Sequence, residues 1–190
     1  KQRGVSRREF MRFCSTMAAA MALPVGAAAQ IAEAIQKKQK PVLLWLEFQD
    51  CAGNTESFLR ASQPSVASIV LDILSVDYHE TIMAAAGRQA EEALAKSMAD
   101  HKGQYIVIVE GSIPTGENGA YCTIGGKAAL QIARDVCGGA AATIAIGTCA
   151  AYGGLPAAAP NPTGALGVAD AVPGVKNLIA CDIDPAKLAA

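Results

Sequence analysis

The sequence predicts an α/β fold, a doubly wound parallel sheet with helices on both faces. Three observations carry this. Segments such as PVLLWLEF, YIVIVEG and ATIAIGT are apolar almost throughout rather than alternating, as strands buried on both faces are. Segments of helical composition stand between them, the pattern of strand–helix–strand crossovers. At 190 residues the chain is also long enough for one ordinary domain with a substantial core.

Taken in order, a charged linker (IAEAIQKKQK) leads into a strand from about Val42 to Phe48. TESFLRASQPSVASIVL reads as helix in two pieces, interrupted at Pro64 because proline has no N–H to continue the ladder. A second strand is expected near Ile73 to Tyr78. TIMAAAGRQAEEALAKSMADHK has helical composition throughout, with Gly103 as its stop signal. Tyr105 to Gly111 is the clearest strand, GKAALQIARDVCGG the next helix, and ATIAIGT (142–148) a further buried strand. Gly153 to Gly174 reads as loop around one short helix, GALGVADAV, and KNLIA as a last short strand. No internal repeat interrupts this order, and its layout is flavodoxin-like.

The formal net charge is −1, which gives no electrostatic footprint for nucleic acid. The first residues read differently from the rest. KQRGVSRREFMRFC sets basic residues, including Arg7–Arg8, ahead of a moderately apolar CSTMAAAMALPVGAAA. That apolar run is short for a membrane span, and Ala27 and Ala29 form an A-x-A cleavage pattern before Gln30. We read residues 1–29 as a twin-arginine signal peptide, 30–40 as a linker and 41–190 as the α/β domain. The expected location is periplasmic, and the twin-arginine route suits a protein folded around a cofactor before export.

Six cysteines are present, Cys14, Cys51, Cys122, Cys137, Cys149 and Cys181. Cys14 leaves with the signal, and the odd number that remains is a poor disulfide framework. In an open parallel sheet, functional groups gather just beyond the carboxyl ends of the strands. Cys51 follows the first strand, Cys149 the fourth and Cys181 the last, so three thiols are expected on one rim as a metal or cluster constellation. Cys137 lies in a helical pattern and is assigned to packing; Cys122 sits at a loop-to-helix junction within reach of the rim. Soft thiolates suit zinc or iron, and nearby glycines let backbone N–H groups approach sulfur.

With those residues in view, the chain resembles the small subunit of a nickel–iron hydrogenase of the exported, membrane-associated uptake class. SRREFMRF, LEFQDCAG followed by TES, VDYHETIMAAAG, YIVIVEGSIP, GTCAAYGG and NPTGA carry the resemblance, which spans almost the whole chain. It implies a flavodoxin-like iron–sulfur domain holding a proximal 4Fe-4S cluster. The nickel–iron centre would lie in the partner large subunit. Residue by residue, it implies Cys51, Cys149 and Cys181 as ligands. The family's second cysteine falls on Asn54, which also reads as a helix N-cap before TESFLR. Asn54 itself, water, Asp50 and Cys122 stay open as replacements, as does a three-iron 3Fe-4S cluster. After the last strand, Asp182 and Asp184 stand where the family carries proline and asparagine, and its C-terminal multi-cluster domain has no counterpart in this sequence.

The expected role is electron transfer: the chain accepts electrons from hydrogen oxidation in the large subunit and is not catalytic alone. A membrane cytochrome b or another acceptor is the expected onward partner. His79 and Glu56 are expected to be structural or interface groups. The rival reading is a cluster-free or truncated assembly and export partner. The related small iron–sulfur subunit of respiratory NADH dehydrogenase is disfavoured, because it lacks an export signal and carries adjacent cysteines in its first loop.

Overall fold

The computed structural model describes residues 40–181 together with Arg8, Met11, Arg12 and Ser15, these four in α-helix. The chain divides into two compact units, Lys1–Pro41 and Val42–Ala190, and the second holds the sheet. Nearly all of the expected signal and linker, and both Asp182 and Asp184, fall outside the described residues.

Five strands build the sheet: β1 (Val42–Glu47), β2 (Ser75–His79), β3 (Ile106–Glu110), β4 (Ala142–Ile146) and β5 (Leu178–Cys181). All pair in parallel, in the order β2–β1–β3–β4–β5. This is the flavodoxin-like order, with its topological switch point between β1 and β3. The helices are α1 (Gly53–Leu59), α2 (Val66–Ser68), α3 (Arg88–Asp100), α4 (Ala129–Gly138), α5 (Gly147–Tyr152) and α6 (Val168–Ala171). A π-helical segment, Ile69–Ile73, continues α2.

The period of two along each strand divides the core between the two faces. Leu44, Leu46, Tyr78, Val107, Val109 and Ala145 pack with Leu94 of α3, Ile132, Val136 and Cys137 of α4, and Ala150 of α5. On the other face, Leu43, Trp45 and Ile108 pack with Phe58 of α1, while Ile144 and Ile146 are half-buried. Trp45 stacks on His79 at 4.8 Å between ring centroids and tilts against Phe58 at 5.4 Å.

Four local expectations are corrected. Thr81 to Gly87 is not helical; Gly87, at φ 56 and ψ −131, holds a backbone shape that delays α3 to Arg88. The fourth strand ends at Ile146, and Gly147 at φ 78 turns the chain straight into α5, so Cys149 is helical. The helix expected from Gly126 starts at Ala129, because Gly125 and Gly126 turn a small hairpin pairing Thr123–Ile124 with Lys127–Ala128. The short helix expected over GALGVADAV forms only at Val168–Ala171, and Ala165–Leu166, near the start of that stretch, pair antiparallel with Ile113–Pro114 instead.

Leu44 is fully buried at the sheet centre, whereas Leu71 is 68% exposed. Leu44→Ala leaves a cavity in close-packed surroundings and is expected to cost about 3 kcal/mol. Leu71→Ala is expected within about 0.5 kcal/mol of wild type. Urea midpoints of the two variants check the contrast.

Candidate functional site

The site is built on the α1 face of the sheet, at the carboxyl ends of the strands. Strand register aligns Glu47 with Glu110 on β1 and β3, and Ile146 with Cys181 on β4 and β5. Alternation therefore sends Trp45, Glu47, Ile108, Glu110, Ile144, Ile146 and Cys181 to one side.

Glu110 organises this side. Its carboxylate is completely buried. It accepts from the Trp45 indole at 3.2 Å, the Asn54 backbone N–H at 2.8 Å and the Thr55 backbone N–H at 3.1 Å. The Thr55 hydroxyl donates to it at 2.7 Å and the Asn54 side-chain amide at 3.3 Å. The two backbone donors belong to the first turn of α1, where N–H groups have no intrahelical acceptor. The residue preceding α1, Ala52, sits at φ 56 and offers no side-chain cap. A strand residue remote in sequence thus does what a local N-cap usually does. The expectation of Asn54 as N-cap is corrected accordingly: it is the second residue of α1.

Cys51 stands exposed in the tight loop between β1 and α1. Asp50 Oδ1 accepts the Ala52 N–H at 3.0 Å and closes that loop. The loop also lies backbone to backbone on the exit of β3. A Cβ on Gly111 would come within 2.8 Å of the Gln49 backbone, and Gly111 is at φ 88. Asn54 reaches across to β4, its Nδ2 donating to the Ile146 carbonyl at 3.5 Å. Cys149 lies three residues beyond that carbonyl, in the first turn of α5, and is half-buried. Gly154 packs directly on its sulfur: a Cβ there would lie 2.5 Å from Cys149 Sγ. Cys181 is the exposed last residue of β5, not a residue beyond it.

The predicted site residues thus divide. Cys51 and Asn54 follow the end of β1, Cys149 follows the end of β4, and Cys181 ends β5. Cys122 is half-buried on the loop leaving β3, its thiol pushed up by burial and then by the charges of Glu80 and Asp50. Cys137 is core, and burial raises its thiol to about 11, which makes it inert. His79 is buried on the Trp45 stack, its Nδ1 accepting the Thr81 N–H at 3.3 Å. Burial pushes the imidazole below its ordinary range, which favours the neutral form. Glu56 makes an exposed pair with Arg60 at 3.1 Å, of little energetic consequence.

Sequence reasoning missed a group of carboxylates. Oxygens of Glu47, Asp50 and Glu110 all lie within 4.8 Å of one another. The Thr55 hydroxyl also faces Glu47 at 2.6 Å, and the Thr81 hydroxyl donates to Glu47. The Glu47 backbone N–H donates to Glu80 at 3.2 Å, and burial pushes the Glu80 carboxyl up to about 8. A signal was available: Glu47 and Glu110 each close an otherwise apolar strand, and an ionisable group there needs partners.

The donor set fits a thiolate-held cluster. Three soft donors lie at one rim, and glycine beside two of them leaves sulfur uncovered, Gly53 at Cys51 and Gly154 at Cys149. A cavity of about 570 Å³ between α3 and α4 shares no residue with this rim.

The family pattern described as NADH ubiquinone oxidoreductase, 20 Kd subunit, matches residues 51–190. The chain is 44% identical over 184 residues to the Hydrogenase-2 small chain of Escherichia coli K12, covering 96% of this chain and 50% of that relative. It is 46% identical over 191 residues to the periplasmic NiFe hydrogenase small subunit 1 of Nitratidesulfovibrio vulgaris, covering 98% and 60%. The solved NiFeSe hydrogenase of Desulfovibrio vulgaris Hildenborough superposes with a TM-score of 0.71 at 35% identity, covering 74% of this chain and 53% of that one. The chain therefore spans about half the length of the E. coli relative.

Two outcomes are expected. Glu80 binds its proton more tightly folded than unfolded, so its contribution to stability is full below about 4.5 and is lost as pH rises towards about 8. In denaturation profiles across that window, Glu80→Gln should decline less steeply than wild type. Gly154→Ala meets the Cys149 sulfur at φ 54, whereas Gly126→Ala, at φ 81, meets nothing within 4 Å. Gly154→Ala should cost about 1–3 kcal/mol more than Gly126→Ala in the same assay.

Proposed function

Because the chain belongs to the family described as NADH ubiquinone oxidoreductase, 20 Kd subunit, and is 44–46% identical to hydrogenase small subunits, we propose that it is the electron-transfer small subunit of a NiFe hydrogenase. One observation supports the reading: in a chain with these relatives, Cys51 in the loop after β1, Cys149 in the first turn of α5 after β4, and Cys181 at the end of β5 all stand at the carboxyl edge of one parallel sheet. On this reading Cys51, Cys149 and Cys181 hold a proximal iron–sulfur cluster, 4Fe-4S or its 3Fe-4S form. When bound, such a cluster takes up and releases one electron at a time.

The chain's own residues would position and shield it. Glu110 holds the first turn of α1, and with it Cys51 and Asn54. Gly154 gives Cys149 the room its sulfur occupies. Tyr152 is 43% and Leu155 86% exposed, immediately after Cys149, where a soluble surface rarely places two large apolar groups together. We assign this patch, with Cys51 to Arg60, to the docking of the large subunit, which would carry the nickel–iron centre and split hydrogen. A membrane cytochrome b or another acceptor would take the electrons onward. SRREFMRF and a relative named periplasmic support export to the periplasm by the twin-arginine route, and the resemblance to the uptake class supports membrane association there.

Asparagine at residue 54 supports one rival, a cluster-free assembly and export partner of the large subunit. The two separate on iron and acid-labile sulfide in protein purified without oxygen alongside its large subunit. About four iron and four sulfide per chain, reduced on adding hydrogen, are expected. Large subunit bound with no iron in this chain would leave the assembly role.

A further inference from the structure

The cluster reading leaves its fourth ligand unassigned, and the inference drawn next rests on that reading. We propose that Asn54 binds the fourth iron through its side-chain carbonyl oxygen, Oδ1.

The orientation of the Asn54 amide follows from its neighbours. Nδ2 faces Glu110 Oε1 at 3.3 Å and the Ile146 carbonyl at 3.5 Å. A backbone carbonyl only accepts, so an amide turned the other way would set oxygen against oxygen. The network therefore fixes nitrogen inward and Oδ1 outward. Oδ1 accepts no hydrogen bond among the described residues, although the Asn54 backbone N–H and Nδ2 both have partners. Its place is set on both sides. The amide packs over Gly147, where a Cβ would lie 2.4 Å from Nδ2 and 2.9 Å from Oδ1. Asn54 thus spans the first turn of α1, which follows Cys51, and the first turn of α5, which holds Cys149.

The other candidates are engaged elsewhere. Asp50 closes its own loop on the Ala52 N–H and has an oxygen turned to Glu47 and Glu110. Cys122 lies on the loop leaving β3, under the influence of Glu80, and packs against the core on the opposite face. A carboxamide oxygen is a neutral, hard donor, so an iron held by it differs from the three held by thiolate. One negative charge fewer in the ligand set also favours the reduced state.

The test compares wild type, Asn54→Ala and Asn54→Cys, each purified without oxygen in complex with the large subunit. Wild type is expected to hold four irons per chain. Asn54→Ala should lose one and show a three-iron electron-paramagnetic signal on oxidation. Asn54→Cys should keep four, at a lower reduction potential, because a thiolate brings the missing charge. In wild type labelled with ¹³C at asparagine carboxamides, the reduced cluster should show carbon hyperfine coupling that Asn54→Cys loses. A purely structural role for Asn54 would give no such coupling. Four irons with an unchanged spectrum in Asn54→Ala, or three irons in wild type, would overturn the ligand assignment and leave the cluster standing. No iron in wild type would overturn both.

Discussion

Glu110 buries a carboxyl group at the end of a central strand and surrounds it with donors from β1 and α1. Such a group is costly in an apolar interior unless its acceptor capacity is filled, and here it is filled. The benefit is positional. Cys51 sits on a loop that the Asp50–Ala52 bond closes locally, but Ala52 is left-handed and offers α1 no side-chain cap, so the helix end depends on a remote partner. Tying the first turn of α1 to a strand in the middle of the sheet transfers the rigidity of that sheet to the loop. Trp45 extends the arrangement, since the ring that donates to Glu110 is itself stacked on His79 and packed against Phe58.

The same geometry places three cysteines that are distant in sequence along one edge of the sheet. A parallel sheet places every strand's carboxyl end on one edge, and the 2–1–3–4–5 order brings the exits of β1, β3, β4 and β5 side by side. Asn54 then serves as a strut, with one end of its amide on Glu110 and Ile146 and its backbone in α1. Substituting Glu110 would orphan two helix N–H groups and the Trp45 indole together, so its effects are not separable into single hydrogen bonds.

Much of this was legible in the sequence, for identifiable reasons. Apolar runs such as VLLWL and IVIV state their burial directly, and the alternation with helices dictates parallel pairing. Strand ends placed the cysteines only coarsely, since Cys149 is helical and Cys181 is the last residue of its strand. What stayed hidden depends on contacts between residues remote in sequence. Nothing local to Asn54 shows that its helix is capped from Glu110, and local preference favoured asparagine as the cap. The small hairpin at Gly125–Gly126 and the pairing of Ile113–Pro114 with Ala165–Leu166 are too short to leave a period in the sequence. The helix expected from Thr81 failed because composition cannot register a single glycine conformation, that of Gly87.

The charges around the rim add a last constraint. Glu47, Asp50 and Glu110 converge on one another, and Glu80 joins them through the Glu47 backbone. A thiolate-held cluster placed beside them would gain electrons against the negative charge of those that are ionised, and low-dielectric surroundings strengthen that repulsion. The protein limits it in two ways. Burial holds the Glu80 carboxyl in its neutral form to well above the usual carboxylate range. Hydrogen-bond donors converge on Glu110, and the Thr81 hydroxyl donates to Glu47, spreading their charge into N–H and O–H dipoles. A neutral residue at position 54 belongs to the same logic, because a fourth thiolate would add charge where carboxylates are already crowded. On the proposed cluster reading, asparagine at 54 would spare the rim that charge as well as fit the geometry of its loop.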